Sequence, residues 1–334
     1  MNDSVDSTKT SKIETSDSPD WMSRQDGYNA GAEYGSYDSR LGRAYHRRRC
    51  ELLLASIESL YGQETAVEVL EIGCGTGHTM KYLCERTAHS VFGLDFSSTM
   101  LHHASGRISE TENVPAMMLG NAIELPFEDD SFDVVYATRF MHQFPHSDKL
   151  SMAAEFRRVL RPNGLIMLEI YARPMNVLNY YIPIGESDRY KTLEEHLIHY
   201  PSHKEKQEIA GADYQTTGLR FFGDRVLNRV FGYGLFTLVN KLVTAMPPFS
   251  WFMEEHWVTF PIDKNVQSQQ GTNSREKVPV VEKVRCAKCH GKLDANAEGE
   301  QVVGLACTAC KLVYAVNEGR PNMLSHEAES LSGD

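Results

Sequence analysis

The chain has 334 residues, a formal net charge of −11 and a hydrophobic share of 41%. That length suits one large domain plus a small one, and the hydrophobic share suits a globular protein with a sizeable core. The acidic balance counts against a protein that grips nucleic acid by neutralising phosphates over its whole surface.

Residues 1–20 are rich in Ser, Thr and Asp and nearly free of large apolar groups, which predicts a disordered tail with no signal-peptide pattern. No run of 18 or more uncharged apolar residues occurs, so no spanning helix is expected. The chain is read as cytoplasmic, where paired cysteines serve metals more often than disulfides.

Folded structure is expected from about Trp21 to Asp263, opening with helical segments. Residues 38–61 carry Leu52, Leu53, Ile57 and Leu60 at helical spacing. From Val67 the pattern changes to alternation. VEVLEIG reads as a buried strand, then comes a glycine-rich turn and a helix around Met80 to Glu85. SVFGLD is a second strand and a helix follows from Ser97. PAMMLGNA holds a third strand, FDVVYAT a fourth, residues 147–161 an amphipathic helix and LIMLEIY a fifth strand. Strands separated by helices predict a parallel sheet with right-handed crossovers.

Residues 172–214 read as largely helical and polar, and TTGLRFF and HWVTFPI as two more strands. Between those strands lies an apolar insert near residues 223–254, read as a pocket lid, a partner surface or a lipid contact. Residues 264–279 are a polar linker, residues 280–328 a small cysteine-bearing domain and residues 329–334 a tail.

The turn after the first strand is Glu71-Ile72-Gly73-Cys74-Gly75-Thr76-Gly77. Glycines there let a ligand approach the backbone, and the next helix offers free N–H groups. The dinucleotide fingerprint is broken, because His78 stands where its third glycine belongs. Asp95 closes the second strand, where a carboxylate can accept from two ribose hydroxyls. Asn121-Ala122 follows the third strand, where a side-chain oxygen can accept from an adenine amine.

In this order, EIGCGTG, GLDFSSTML, GNAIELPFEDDSFDVVYA and FRRVLRPNGLIMLE resemble the class I S-adenosylmethionine-dependent methyltransferases. The resemblance covers about Val67 to Tyr171 and implies a Rossmann-like α/β fold. Its seven-stranded sheet has order 3-2-1-4-5-7-6, with strand seven antiparallel and helices on both faces. It implies that Glu71 and Gly73 hold the methionine part of S-adenosyl-L-methionine, with Cys74, Gly75 and Gly77 completing the turn. Asp95 would bind the ribose, Phe96 border the adenine, and Asn121 and Ala122 face its edge. Two departures stand out: Asn rather than Asp at position 121, and Pro162-Asn163-Gly164 where Pro-Gly-Gly is usual. Asn tolerates a left-handed backbone, so that turn should survive.

The segment after the fourth strand, Thr138 to Phe144, lacks the Asn/Asp-Pro-Pro-Tyr of nucleic-acid amino-methyltransferases. His142 is the candidate base there, against a packing role, and Arg139 a candidate contact for an anionic acceptor.

Cys286-x-x-Cys289 and Cys307-x-x-Cys310 are separated by seventeen residues, a pattern that fits one structural, tetrahedral Zn2+. Such a metal contributes roughly 10–16 kcal/mol of apparent folding free energy to a small module. With Tyr314 to Ala328, these cysteines resemble the zinc-ribbon activator subunit of tRNA and translation-factor methyltransferases. That resemblance implies a stabilising partner built into the chain.

A small-molecule or lipid-like acceptor is therefore expected. The alternatives are a methyltransferase acting on tRNA, rRNA or a translation protein, and a non-catalytic S-adenosylmethionine-binding scaffold. Arg40, Arg43 and Arg47, with His46, Arg48 and Arg49 beside them, are read as a solvated helix face or a phosphate site.

Overall fold

The computed structural model describes residues 40–109, 111–171, 203–211, 214–221, 253–261, 280–299 and 301–331, with isolated positions between 235 and 242. The expected tail at 1–20, most of the helical stretch 172–214, most of the apolar insert and the linker lie outside the described residues.

Helix α1 (Arg40–Tyr61) leads into β1 (Glu68–Ile72), α2 (His78–Cys84), β2 (Ser90–Asp95), α3 (Ser98–Ile108), β3 (Ala116–Leu119) and β4 (Phe132–Ala137). Helix α4 (His146–Val159), β5 (Leu160–Tyr171), α5 (His203–Ala210), β6 (Gln215–Phe221) and β7 (Met253–Pro261) follow. These strands form one sheet of order β3-β2-β1-β4-β5-β7-β6. The first five are parallel, and β7 runs antiparallel to both β5 and β6.

Alternation along each strand divides the core into two layers. Leu70, Ile72, Phe92, Leu94 and Met118 pack with Met152, Phe156 and Val159 of α4. Val69, Val91, Met117, Val134 and Tyr136 pack with Leu53 and Ile57 of α1, Met80 and Leu83 of α2, and Leu101 and Ala104 of α3. Ser97 caps α3, its side chain accepting from Met100 N–H at 3.2 Å. Asn163 adopts φ 63° before β5's apolar run, the left-handed state its short amide side chain tolerates.

The C-terminal part is a short helix α6 (Val280–Lys283) and an antiparallel sheet. Its strands are β8 (Asp294–Glu298), β9 (Gln301–Cys307), β10 (Leu312–Asn317), β11 (Arg320–Pro321) and β12 (Glu329–Ser330). It docks on the β3 edge of the large sheet. Asn322 bridges Leu119 in parallel, and Met323 N–H donates to Leu119 O at 2.7 Å. Val284 bridges Phe127, and Arg285 N–H donates to Pro126 O at 2.9 Å. Otherwise unpaired edge groups are thereby satisfied.

Charge and apolar contacts reinforce the dock. Lys283 Nζ lies 2.6 Å from Glu68 Oε1, and Arg161 Nη2 lies 2.6 Å from Glu68 Oε2. Lys283 Nζ also sits 5.3 and 5.2 Å from the ring centres of Phe92 and Phe132. Arg320 donates to Ser105 Oγ at 2.7 Å, and Ser325 Oγ donates to Glu124 Oε2 at 2.9 Å. Val284, Leu305, Tyr314 and Met323 belong to the same buried cluster as Leu125, Phe127 and Phe132, so one core runs through both parts.

Candidate functional site

The sheet order reverses between β1 and β4, which opens a crevice at the carboxyl ends of the strands. A pocket lies there, lined by residues from five places in the chain. Gly73 comes from the end of β1, Leu94, Asp95 and Phe96 from the end of β2, and Gly120 to Ile123 from the end of β3. Phe140 and Phe144 follow β4, and Asp148 and Met152 lie on α4.

The glycine turn is shaped by close approach. Gly73 has φ 66°, and a Cβ there would come 2.3 Å from Phe140 Cδ2. Gly73 and Cys74 N–H both donate to Leu94 O, at 2.8 and 3.1 Å, tying the turn to β2. Gly75 has φ 52° with open space around its would-be Cβ. Gly77, the cap residue of α2, has φ 75° and sits against Ile108 and Ala104. Cys74 is buried, and burial pushes its thiol up.

Asp95 is the electrostatic centre of the pocket. Its Oδ2 accepts Gly75 N–H at 2.7 Å and its Oδ1 accepts Ser97 N–H at 2.9 Å. Burial raises its carboxyl to about 6, opposed by those bonds and one from Phe96 N–H. Each oxygen keeps capacity for a further donor such as a ribose hydroxyl. Asn121 Oδ1 accepts Ile123 N–H at 3.2 Å, which fixes the turn facing the pocket.

Glu71 does not line this pocket. It is buried on the α1 and α2 side of β1, where Tyr136 O–H donates to its Oε2 at 2.8 Å. Burial raises its carboxyl to about 8, opposed by the Tyr136, Thr79 and Met80 donors. Cys74, Gly75 and Gly77 likewise stand beside the pocket rather than on its lining. His142 lies half-buried on the single 3-10 turn Met141–Gln143 after β4, also off the lining.

Sequence reasoning missed Phe140, Phe144, Asp148 and Met152. Their only signal is an aromatic i, i+4 pair after β4 and an apolar position on α4, which core packing explains equally well. The arginines of α1 are corrected in part. Arg48 and Arg49 are buried, Arg47 Nε bonds Glu51 Oε1 at 2.8 Å, and Arg43 is exposed. The solvated reading therefore holds for Arg43 and Arg47 and not for Arg48 and Arg49, which the helix turns inward.

In the C-terminal part, the Sγ atoms of Cys286, Cys289, Cys307 and Cys310 lie within 4.8 Å of one another. Cys289 and Cys307 Sγ are 3.6 Å apart, close to the edge of about 3.8 Å that a tetrahedron with 2.3 Å Zn–S bonds requires. Tyr314 is fully buried with its hydroxyl 3.3 Å from Cys286 Sγ, placed to donate to a metal-bound thiolate. The four thiols fit a structural Zn2+.

A family model described as "Methyltransferase domain" matches residues 69–164, the span that builds the pocket. This is a class I S-adenosylmethionine-dependent methyltransferase domain. The demethylmenaquinone methyltransferase of Staphylococcus aureus strain MRSA252 is 29% identical to the methyltransferase over 190 residues, covering 52% of this chain and 78% of that protein. The enzyme of the same name from Lactococcus lactis subsp. lactis is 38% identical over 110 residues, 32% of this chain and 42% of that one. Among solved structures, Haemonchus contortus phosphoethanolamine N-methyltransferase 1, bound to phosphoethanolamine and S-adenosylhomocysteine, aligns with a TM-score of 0.50. It is 15% identical over 75% of this chain and half of that one, a likeness of fold.

The residues present fit the cofactor that this class uses. Gly75 leaves open space, Asp95 presents a buried carboxylate, and Asn121 and Ala122 face the same crevice. Among the described residues, no helix is long and apolar enough to cross a membrane.

Proposed function

We propose that the methyltransferase moves a methyl group from S-adenosylmethionine to a small-molecule or lipid-like acceptor. The carrying observation is the likeness to demethylmenaquinone methyltransferases, which runs over 190 residues and so extends past the 69–164 domain.

When bound, S-adenosylmethionine supplies an already electrophilic sulfonium methyl, so alignment is the main demand on the protein. The Asp95 carboxylate accepts from the ribose hydroxyls. Asn121 and Ala122 meet the adenine edge and Phe96 borders it. The backbone at Gly73 and Gly75 leaves room for the methionine part, and buried Glu71, bonded to Tyr136, supports the turn from the other face of β1. His142 takes the acceptor's proton if the acceptor is protonated.

The C-terminal zinc ribbon, from about residue 280, is a stabilising domain carried on the same chain. A linker makes its docking intramolecular, at high effective concentration. The docked ribbon also favours a second reading, a methyltransferase for RNA or a translation protein, because the module resembles activators of such enzymes.

The test is transfer of labelled methyl from S-adenosylmethionine into a cell extract by the full-length protein. Label in the organic-soluble or small-molecule fraction is expected. Label that nuclease or protease removes overturns the first reading in favour of the second.

A further inference from the structure

A buried ion pair joins helix α1 to strand β5. Arg49 Nε and Nη2 donate to Glu169 Oε2 and Oε1 at 2.8 and 2.9 Å. Both side chains are buried, at 8% and 1% exposure. This forked geometry fixes direction as well as distance.

Glu169 Oε2 has a second task. It accepts Arg139 N–H at 3.1 Å. Arg139 has φ 51°, an uncommon conformation for a residue with a Cβ. Its carbonyl accepts Gln143 Nε2 at 2.8 Å, and the chain then closes into the turn where Gln143 N–H meets Phe140 O at 3.2 Å. Phe140 is thereby laid on Gly73, with Phe144 4.7 Å from it between ring centres, and both line the pocket.

A strained residue persists where its surroundings over-determine it. Here those surroundings include a carboxylate oriented by a cation 120 residues away in sequence. We propose that Arg49 and Glu169 are positioning residues of the methyltransferase: their ion pair holds the left-handed turn at Arg139 that seats Phe140 against Gly73. The proposal rests on the pocket being the cofactor site. It assigns α1 a part in cofactor binding although none of its residues lines the pocket.

The experiment compares full-length, zinc-loaded proteins by two readouts. One is amide hydrogen exchange at Gln143 and Phe144 without cofactor. The other is calorimetric binding of S-adenosylhomocysteine. The Arg49→Met, Glu169→Leu double variant replaces both charges with apolar groups, an exchange that buried pairs often tolerate. Exchange at the turn should quicken at least about tenfold and affinity fall at least about tenfold. The Michaelis constant for S-adenosylmethionine should rise more than kcat falls. Glu169→Gln keeps an acceptor for Arg139 N–H and should lie between wild type and the double variant. A double variant with wild-type exchange and affinity overturns the proposal. If the double variant does not fold, unchanged exchange and affinity in Glu169→Gln overturn it instead. Wild-type protein that fails to bind S-adenosylhomocysteine overturns the cofactor reading, and the exchange readout still decides whether the ion pair holds the turn.

Discussion

Glu71 and Tyr136 are register partners on the neighbouring parallel strands β1 and β4, and the Tyr136 hydroxyl donates to Glu71 Oε2 at 2.8 Å. Adjacent positions on one sheet face bring the two groups together, and burial denies the carboxylate water. The negative charge of Asp95, at the end of β2, adds to the upward push on Glu71, and the thiols of Cys50 of α1 and Cys74 of the turn feel Glu71 in return.

That burial gives a pH prediction. The Glu71 carboxyl stands at about 8 in the fold, raised from an ordinary value of 4.5. A raised carboxyl contributes stability that is complete below the unfolded value and is lost as pH climbs through the folded one. Glu71→Gln should therefore gain on wild type, by on the order of a few kcal/mol, between pH 5 and pH 9. Denaturant melts of the cofactor-free protein at both pH values measure it, and parallel pH curves for the two proteins count against the assignment.

Asp95→Ala should weaken S-adenosylmethionine binding at least about tenfold, since hydrogen bonds to a charged group contribute about 1.5–3 kcal/mol each. Wild-type affinity should rise as pH climbs through about 6, because hydroxyl donors favour the carboxylate that burial disfavours. Titration calorimetry at pH 5 and pH 8 reads both effects. A flat wild-type profile would argue for a cofactor held elsewhere.

Lys283 joins the ribbon to the base of the large sheet. Its ammonium is shared between Glu68 Oε1 and, at 3.3 Å, Ser131 O. Lys283→Met should cost about 1–3 kcal/mol, less than a lone buried pair because Arg161 still covers Glu68. It should also speed proteolytic release of the C-terminal part. Unchanged melting and unchanged cleavage would show that Lys283 does not hold the ribbon, leaving the pairings at Leu119 and Phe127 and the Arg320 and Ser325 bonds to do so.

Cys307→Ser should lose bound zinc. Leu305 and Tyr314, which share their core with Phe127 and Phe132, should then become accessible. Metal analysis with dye binding tests both steps. Full zinc content in that variant would sink the four-thiolate site. Cutting the chain after Asp263 should bare the same apolar edge and lower solubility, and a truncated protein that behaves as the full one does would end the idea of a built-in stabiliser.

The sequence by itself determined the parallel core of the sheet, the glycine turn and the four-cysteine set. Those signals are local: a short apolar-rich run in VEVLEI, Ser97 at a helix start, two Cys-x-x-Cys pairs. It also placed Asp95 and Asn121, because strand ends in this order must converge on one crevice. Only the tertiary structure decided which acidic group faces the pocket. Glu71 stands one residue before the end of β1 and Asp95 ends β2, yet alternation sends Glu71 to the α1 layer while Asp95 meets Gly75 and Ser97. Only the tertiary structure paired Arg49 with Glu169, laid Phe140 on Gly73 and set Asn322 against Leu119. Each of these joins residues far apart in the chain, and neither periodicity nor spacing carries information over that distance. It exists once the layers have packed and buried polar groups must find partners.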